Sequence, residues 1–366
     1  FKTMKIAYII EDFYIGGGVE RIISEKANIM SEEWGNEVTI VSIYRDTPRQ
    51  TYNLNKNVRL LFLDVPMAKK SNNTITRTVN RIKTLADAAI KLNSTLSELK
   101  PDIIFFATTL SALLLPLCNI KSKKIFESHS ARRFTPYSRM FGLMERKADA
   151  VVCLTADDAR EYKAAKRVEV IPNFVNTPDK YVADYGVKRA IAVGRLEHVK
   201  GFDLLIDCWK DVAKACPDWQ LDIYGEGSLH DELQRQITRC GLDDRVVLRG
   251  RCEDMNEAYA SHSMQIVTSR YEGLSLVLAE GQACGLPCVT VDYIYGARDI
   301  AEDGYNGIIV PQNNPEALTR AIIRMAGDEA LRAKYGANAR LTISKFDRDN
   351  IMNKWKELIG SICDKK

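Results

Sequence analysis

The sequence lacks any C-x-x-C pair, although nine cysteines are spread along its 366 residues. They stand singly, and Cys284 and Cys288 have no second pair of ligands nearby, so the pattern excludes a structural zinc site. It also excludes the disulfide framework of a small secreted domain. Solitary thiols with apolar neighbours fit a reducing compartment, and the sequons at Asn72 and Asn93 then read as chance matches. No secretory leader is expected before the first apolar run, and Met4 reads as the natural start. Long hydrophobic runs are absent too. The stretch Ile103 to Ile120 carries no charge for 18 positions, the lower limit for a spanning helix. It divides into a strand-like Ile103–Ala107 and a helix-like segment from Thr108 with Pro116 near its end, and is expected to be a buried strand plus a helix. The sequence holds no nucleic-acid-binding motif and no pyridoxal-lysine motif. Its only D-x-D, Asp347-Arg348-Asp349, lies near the C-terminus, where it reads as the start of a final helix. It therefore does not read as a metal-binding motif at a strand end.

What is present suits a globular protein of two domains. Hydrophobic residues make up 46% and charged residues 27%, and a chain of this length exceeds one ordinary core. The net charge of +4 hides an asymmetry: residues 1–170 carry +8 and residues 171–366 carry −4. Much of the excess falls in Met67–Lys100, where Lys69, Lys70, Arg77, Arg81, Lys83, Lys91 and Lys100 face only Asp87 and Glu98. A solvated helix face is one reading. The other is a basic surface for anionic lipid or a phosphorylated acceptor.

Short apolar runs alternate with longer periodic segments along the whole chain, the pattern of parallel sheets wound with helices. In the first half, strands are expected at Lys5–Ile10, Glu37–Tyr44, Val58–Leu63, Ile103–Ala107, Lys124–Glu127, Ala150–Leu154 and Val168–Ile171. Between the first two, Val19, Ile22, Ile23, Ala27 and Met30 share a helical face. The pattern restarts with Ala190–Val193, Gln220–Tyr224, Val246–Arg249, Met264–Thr268, Cys288–Thr290 and Gly307–Ile309. Between the halves, Pro172 to Lys188 is rich in Pro, Asp and Asn and reads as a linker. The expected fold is α/β, with two successive Rossmann-like domains.

Three segments carry the chemistry. After the first strand, Gly16-Gly17-Gly18-Val19-Glu20-Arg21 lets backbone approach a ligand, and the helix that follows offers free N–H groups to an anion. A dinucleotide fingerprint would need glycine or alanine where Arg21 stands, which weakens an oxidoreductase reading. In the second half, Val193-Gly194-Arg195-Leu196 is followed by Lys200-Gly201. This is a strand end with two cations five residues apart that can cradle a diphosphate, Arg195 forking onto oxygens and Lys200 acting as a compact charge. The third segment runs from Ser269 through Glu272-Gly273-Leu274-Ser275 to Glu280. A glycine turn enters a helix with Ser275 as its N-cap. If wholly helical, Glu272 and Glu280 would lie about 12 Å apart. That is too far for the paired carboxylates of a glycosidase, which need roughly 5 to 10 Å. It suits two grips on an extended ligand, with a phosphate on the helix N-terminus between them.

These segments, with Ile171-Pro172-Asn173, Gly225-Glu226-Gly227 and Gly304-Tyr305-Asn306-Gly307, resemble the retaining glycosyltransferases of family 4 over nearly the whole chain. The resemblance implies the GT-B fold, two Rossmann-like domains facing a central cleft. It implies an acceptor-binding domain over 1–174, a linker at 175–188 and a nucleotide-sugar-binding domain over 189–345. A C-terminal helix in 346–366 would cross back to the first domain. By position, Glu280 would hold the ribose hydroxyls and Glu272 the sugar hydroxyls. Arg195 and Lys200 would take the diphosphate, with the backbone of Leu274 and Ser275, and with Gly17 and Gly18 approaching from the other domain. Gly250 and Arg251 would lie beside the base, and His129 in Glu127-Ser128-His129-Ser130 would face the donor sugar. The implied donor is a UDP-sugar, and the implied acceptor a glycan or lipid-linked glycan of surface polysaccharide assembly. The implied location is cytoplasmic, with a possible hold on anionic membrane through Met67–Lys100. Tyr293 to Asp299 departs from the family's Gly-Gly-x-x-Glu loop, which leaves the donor sugar open. Two rivals stand beside this reading, a non-catalytic partner subunit and another sugar-nucleotide enzyme such as an epimerase.

Overall fold

The computed structural model describes residues 3–15, 17–45, 52–68 and 72–363. Gly16, Lys69 and Lys70 lie outside them. The chain folds into two compact units, one of residues 1–171 with 352–366 and one of residues 172–351.

The first unit is built on β1 (Lys5–Ile10), β2 (Glu37–Ser42), β3 (Arg59–Phe62), β4 (Ile103–Phe106), β5 (Lys123–Glu127), β6 (Ala150–Cys153) and β7 (Val168–Val170). Their order is β3-β2-β1-β4-β5-β6-β7, and each neighbouring pair runs parallel. A parallel sheet carries helices on both faces, so its central strands read as unbroken apolar runs rather than alternating ones. Ile6 to Ile10 and Ile103 to Phe106 are buried throughout. The helix Gly18–Glu32 covers the sheet with Ile22, Ile23, Ala27 and Met30; Val19, expected on the same face, is half-buried. The uncharged stretch from Ile103 divides as expected, into β4 and a short helix Thr109–Leu114 that ends in a 3-10 turn through Pro116. Among the described residues, no helix is long and apolar enough to cross a membrane.

The second unit holds β8 (Arg189–Val193), β9 (Gln220–Tyr224), β10 (Val246–Gly250), β11 (Met264–Val267), β12 (Cys288–Val291) and β13 (Gly307–Val310), ordered β10-β9-β8-β11-β12-β13 and again parallel. Every strand expected from the sequence forms, within two residues of its bounds. Residues 181–185 pack onto this unit: the Ala183 amide donates to the Cys284 carbonyl, and the Tyr185 hydroxyl to the Gly285 carbonyl.

In each sheet the strand order reverses once, between β1 and β4 and between β8 and β11. In such sheets ligands bind outside the carboxyl ends of the strands at the reversal. The carboxyl ends of β8 and β11 lead into Arg195 and into the Ser269–Ser275 turn respectively.

Asp347 opens the last helix, Arg348–Cys363, by accepting from the Asp349 amide at 3.0 Å. The helix begins in the second unit and continues in the first. There Trp355 is buried edge-on against Phe105, at 5.7 Å between ring centres, and Phe105 stacks on Tyr8 at 4.6 Å. Truncating a buried aromatic leaves a cavity and costs about 3–5 kcal/mol. Trp355→Ala is therefore expected to lower the thermal midpoint of the first unit, while Lys354→Ala, on the exposed side of the same helix, leaves it within about a degree.

Candidate active site

In the second unit, three strand ends meet through backbone. β8 turns at Gly194 and β9 at Gly225, and the Gly194 amide donates to the Tyr224 carbonyl at 2.9 Å. Gly225 has φ +140°, and a Cβ there would stand 1.9 Å from the Gly194 carbonyl oxygen. Glycine is required for that approach. The Gly225 amide donates to the carbonyl of Gly250, the last residue of β10, at 2.8 Å. Arg195 follows Gly194 and is exposed, as is Arg251 after Gly250.

Lys200 ends a 3-10 turn, His198–Lys200, and Gly201 after it adopts the left-handed conformation at φ +66°. A Cβ on Gly201 would meet the Thr268 carbonyl oxygen at 2.2 Å, and the Thr268 hydroxyl donates to the carbonyls of Lys200 and Gly201. Arg270 closes the same corner. Its guanidinium forks onto Asp203 at 2.9 and 2.7 Å, and its amide donates to the Val199 carbonyl. The turn bearing Lys200 is thereby tied to the loop bearing Glu272. Lys200 Nζ reaches Glu272 Oε1 at 2.6 Å, and the Ser269 hydroxyl donates to the same oxygen at 2.6 Å. The sequence pattern treats Lys200 and Glu272 as separate ligand grips; the structure brings them into one ion pair.

Beyond Glu272, Leu274 and Ser275 are buried, and Ser275 caps the helix Leu276–Ala283 by position. Its hydroxyl makes no capping bond. It is buried beside the Tyr293 hydroxyl, which is buried too. Burial first, and then the Glu272 carboxylate, push the Tyr293 hydroxyl well above its ordinary pKa. The first amides of this helix have no acceptors within it, so they remain available to an anion. One helical turn further, the Glu280 carboxylate accepts from the Tyr259 hydroxyl at 3.4 Å. Tyr259 and Asp203 carry no signal in the sequence, and Ser269, Arg270 and Tyr293 enter it only as parts of longer segments, without roles of their own. Each is an ordinary core or surface residue by type, and only the fold places it here.

In the middle of β9 the buried Asp222 gathers a charge cluster that no spacing announced. Asp222 accepts from Arg189 at 2.5 Å, from Arg249 at 2.6 Å and lies 2.9 Å from His262 Nε2, itself fully buried. Burial alone would raise the Asp222 carboxyl, but His262 and the two guanidinium groups outweigh it and hold it at about 2.

In the first unit, Gly17 precedes the helix Gly18–Glu32, and its amide donates to the Glu20 carboxylate at 2.8 Å, in place of a side-chain cap. His129 follows the end of β5. Its ring is buried, with Nε2 3.1 Å from Glu127 Oε1, and Glu127 also receives Lys26 Nζ. The fold thus places Arg195, Lys200, Glu272, Leu274, Ser275 and Glu280 at neighbouring carboxyl ends of the second sheet, with Gly250 and Arg251 at another. Gly17, Gly18 and His129 sit at strand ends of the first. Among the described residues, no group of three or more His, Cys, Asp or Glu side chains could hold a metal ion.

Two family models match the chain: "Glycosyltransferase Family 4" over residues 16–178 and "Glycosyl transferases group 1" over residues 176–342. An uncharacterized glycosyltransferase of Haemophilus influenzae is 26% identical, over 97% of this chain and 99% of its own length. An N-acetyl-D-galactosaminyltransferase of Campylobacter jejuni, named for a diNAcBac-PP-undecaprenol-linked glycan, is 24% identical over 98% of this chain and 99% of its own. Among solved structures, Staphylococcus aureus TarM in complex with UDP and alpha-GlcNAc-glycerol superposes with a TM-score of 0.81, at 17% identity over 97% of this chain and 99% of its own.

The Asp222 cluster sets an acid limit to stability. A carboxyl held at about 2 when folded, against 3.8 for the ordinary group, adds stability that is complete above about pH 4 and is lost as pH falls towards 2. The amount is on the order of 2 kcal/mol. Asp222→Asn is expected to flatten the loss of melting temperature between pH 5 and 2 relative to the unaltered protein, measured by circular dichroism.

Proposed function

The chain belongs to glycosyltransferase family 4, and on that premise we propose that it moves a hexose or N-acetylhexosamine from a UDP-sugar to a lipid-linked or other glycan acceptor. It is a glycosyltransferase of surface glycan biosynthesis. The observation that carries the finer reading is the corner at the carboxyl ends of β8 and β11. Two cations, a helix N-terminus and two carboxylates occur there within two turns of chain, the set needed for a diphosphate flanked by two polyols.

In this reading Arg195 and Lys200 bind the diphosphate, assisted by the amides of Leu274 and Ser275. Glu280 accepts from ribose hydroxyls, Glu272 from sugar hydroxyls, and Gly250 and Arg251 border the base. Gly17 and Gly18 supply backbone to the same diphosphate, and His129 contacts the sugar. In the free protein Lys200 neutralises Glu272; when donor binds, Lys200 turns to phosphate and Glu272 to hydroxyls. The reaction proceeds without metal. The anomeric C–O bond breaks and its electron pair passes to the β-phosphate oxygen, where Arg195, Lys200 and the helix amides meet the growing charge. The acceptor hydroxyl attacks from the same face, and its proton goes to the departing phosphate oxygen, so anomeric configuration is retained. Trapping of a glycosyl-enzyme adduct would overturn this step.

A cytoplasmic protein acting on lipid-linked glycan needs a hold on the membrane. The helix Thr74–Leu99 supports one: Ile75, Val79, Ile82 and Ile90 share an exposed stripe, with Lys83 exposed beside it and Arg77 and Arg81 exposed on other faces of the same helix. The expected outcome is partitioning to anionic liposomes at low salt, lost in high salt; equal partitioning to neutral liposomes would count against it.

The donor reading is tested by thermal shift against UDP, GDP, ADP and a panel of sugar nucleotides, with and without EDTA. A ligand at 100 times its dissociation constant stabilises by about 2.7 kcal/mol. UDP is expected to raise the midpoint regardless of EDTA, one UDP-sugar to raise it further, and Glu280→Ala to abolish both shifts. Lys200→Ala is expected to lower kcat by about 10²- to 10³-fold, as removal of one charge-stabilising donor does elsewhere. No shift with any nucleotide would return the chain to a non-catalytic role.

A further inference from the structure

Lys26, Glu127 and His129 form a line of ionisable groups inside the first unit that the family pattern does not explain. Lys26 lies on the helix Gly18–Glu32, Glu127 ends β5, and both side chains are at most 2% exposed. The ammonium contacts Glu127 Oε1 and stands 3.9 Å from the centre of the Trp355 ring, so the C-terminal helix closes over it. A buried ion pair is weak as a stabilising device, because desolvation offsets the attraction, and an apolar pair of equal volume serves as well. Its presence here calls for another role. Burial would raise the Glu127 carboxyl, but Lys26 and then His129 outweigh it and hold it at about 2. Glu127 is therefore an anion at the back of the His129 ring.

The ring itself is 4% exposed, and Nε2 lies 3.1 Å from Glu127 Oε1, off the straight line of a strong hydrogen bond. Nδ1 is buried and has no hydrogen-bond partner among the described residues. The backbone beside it is pinned: the Ser128 hydroxyl donates to the Ser130 carbonyl and accepts from the Tyr162 hydroxyl, each at 2.9 Å. With that turn held, the adjustable part is the ring, whose Nε2 already lies within reach of the carboxylate. We propose that Lys26 and Glu127 are positioning residues for His129: the carboxylate accepts a hydrogen bond from Nε2–H, which keeps that proton on Nε2 and leaves Nδ1 as the acceptor for a ligand hydroxyl. Carboxylates fix imidazole tautomers in this way wherever they meet one ring nitrogen. The identity of the hydroxyl as one on the donor sugar rests on the function proposed above.

The chain has only four histidines, which makes the tautomer directly measurable. Protein labelled with 15N-histidine, with the His129 signals assigned by their loss in His129→Gln, is expected to show His129 protonated at Nε2 and bare at Nδ1. In Glu127→Gln and Lys26→Met the signals should move towards the mixed tautomers of a free imidazole. In the same variants kcat/KM for the nucleotide-sugar is expected to fall about tenfold, the loss of one oriented hydrogen bond, while the inhibition constant of UDP changes less than twofold. Lys26→Arg should recover part of the rate. An Nδ1-protonated His129 in the unaltered protein overturns the proposal, and so does a tautomer unmoved by Glu127→Gln. If the buried substitutions prevent folding, the spectrum of the unaltered protein still decides. Absence of transferase activity with an Nε2-protonated His129 would remove the sugar but keep the positioning.

Discussion

A parallel strand buried on both faces can offer polar groups to a ligand only where it ends. That constraint organises both units. Strand interiors such as Ile6–Ile10 and Ile103–Phe106 are apolar and pack against helices on either side. Everything with chemistry is pushed to the carboxyl ends, where the chain must also turn into the next helix. Because the strand order reverses between β8 and β11, the turns that follow these neighbouring strands diverge and leave room for Arg195, Lys200 and Glu272.

Crowding at those ends explains the glycines better than flexibility does. Gly225 and Gly201 sit against carbonyl oxygens at distances that forbid a Cβ, at 1.9 and 2.2 Å respectively. Their role is to let one turn lie directly on another. Rigid support then comes from groups that do not face a ligand: Arg270 on Asp203, Thr268 on two carbonyls, and the Asp222 cluster in the middle of β9. In the first unit, Glu127 and Lys26 stand behind His129 in the same way. Both units thus keep charged residues behind their strand ends, ionised by a buried partner.

Much of this was legible in the chain itself. Short apolar runs located all thirteen strands, because a strand covered on both faces is built mostly of apolar residues. The order of Gly194-Arg195, Lys200-Gly201 and Glu272 to Glu280 pointed to the second unit's site, because strand ends and helix starts are fixed by local chain geometry. Val19 marks the limit: it has the right period for the buried face, but it lies in the first turn, where the helix is only half covered.

The sequence by itself determined the fold class, the positions of the strands and the residue types available at their ends, since these follow from burial and period along one stretch of chain. Only the tertiary structure decided which of those residues touch. Lys200 and Glu272 are 72 positions apart, Lys26 and Glu127 are 101 apart, and Trp355 reaches Lys26 from the far end of the chain. A charge pair leaves no periodic trace in sequence when its members lie on different elements. Its existence depends on the strand order, which side-chain pattern does not encode.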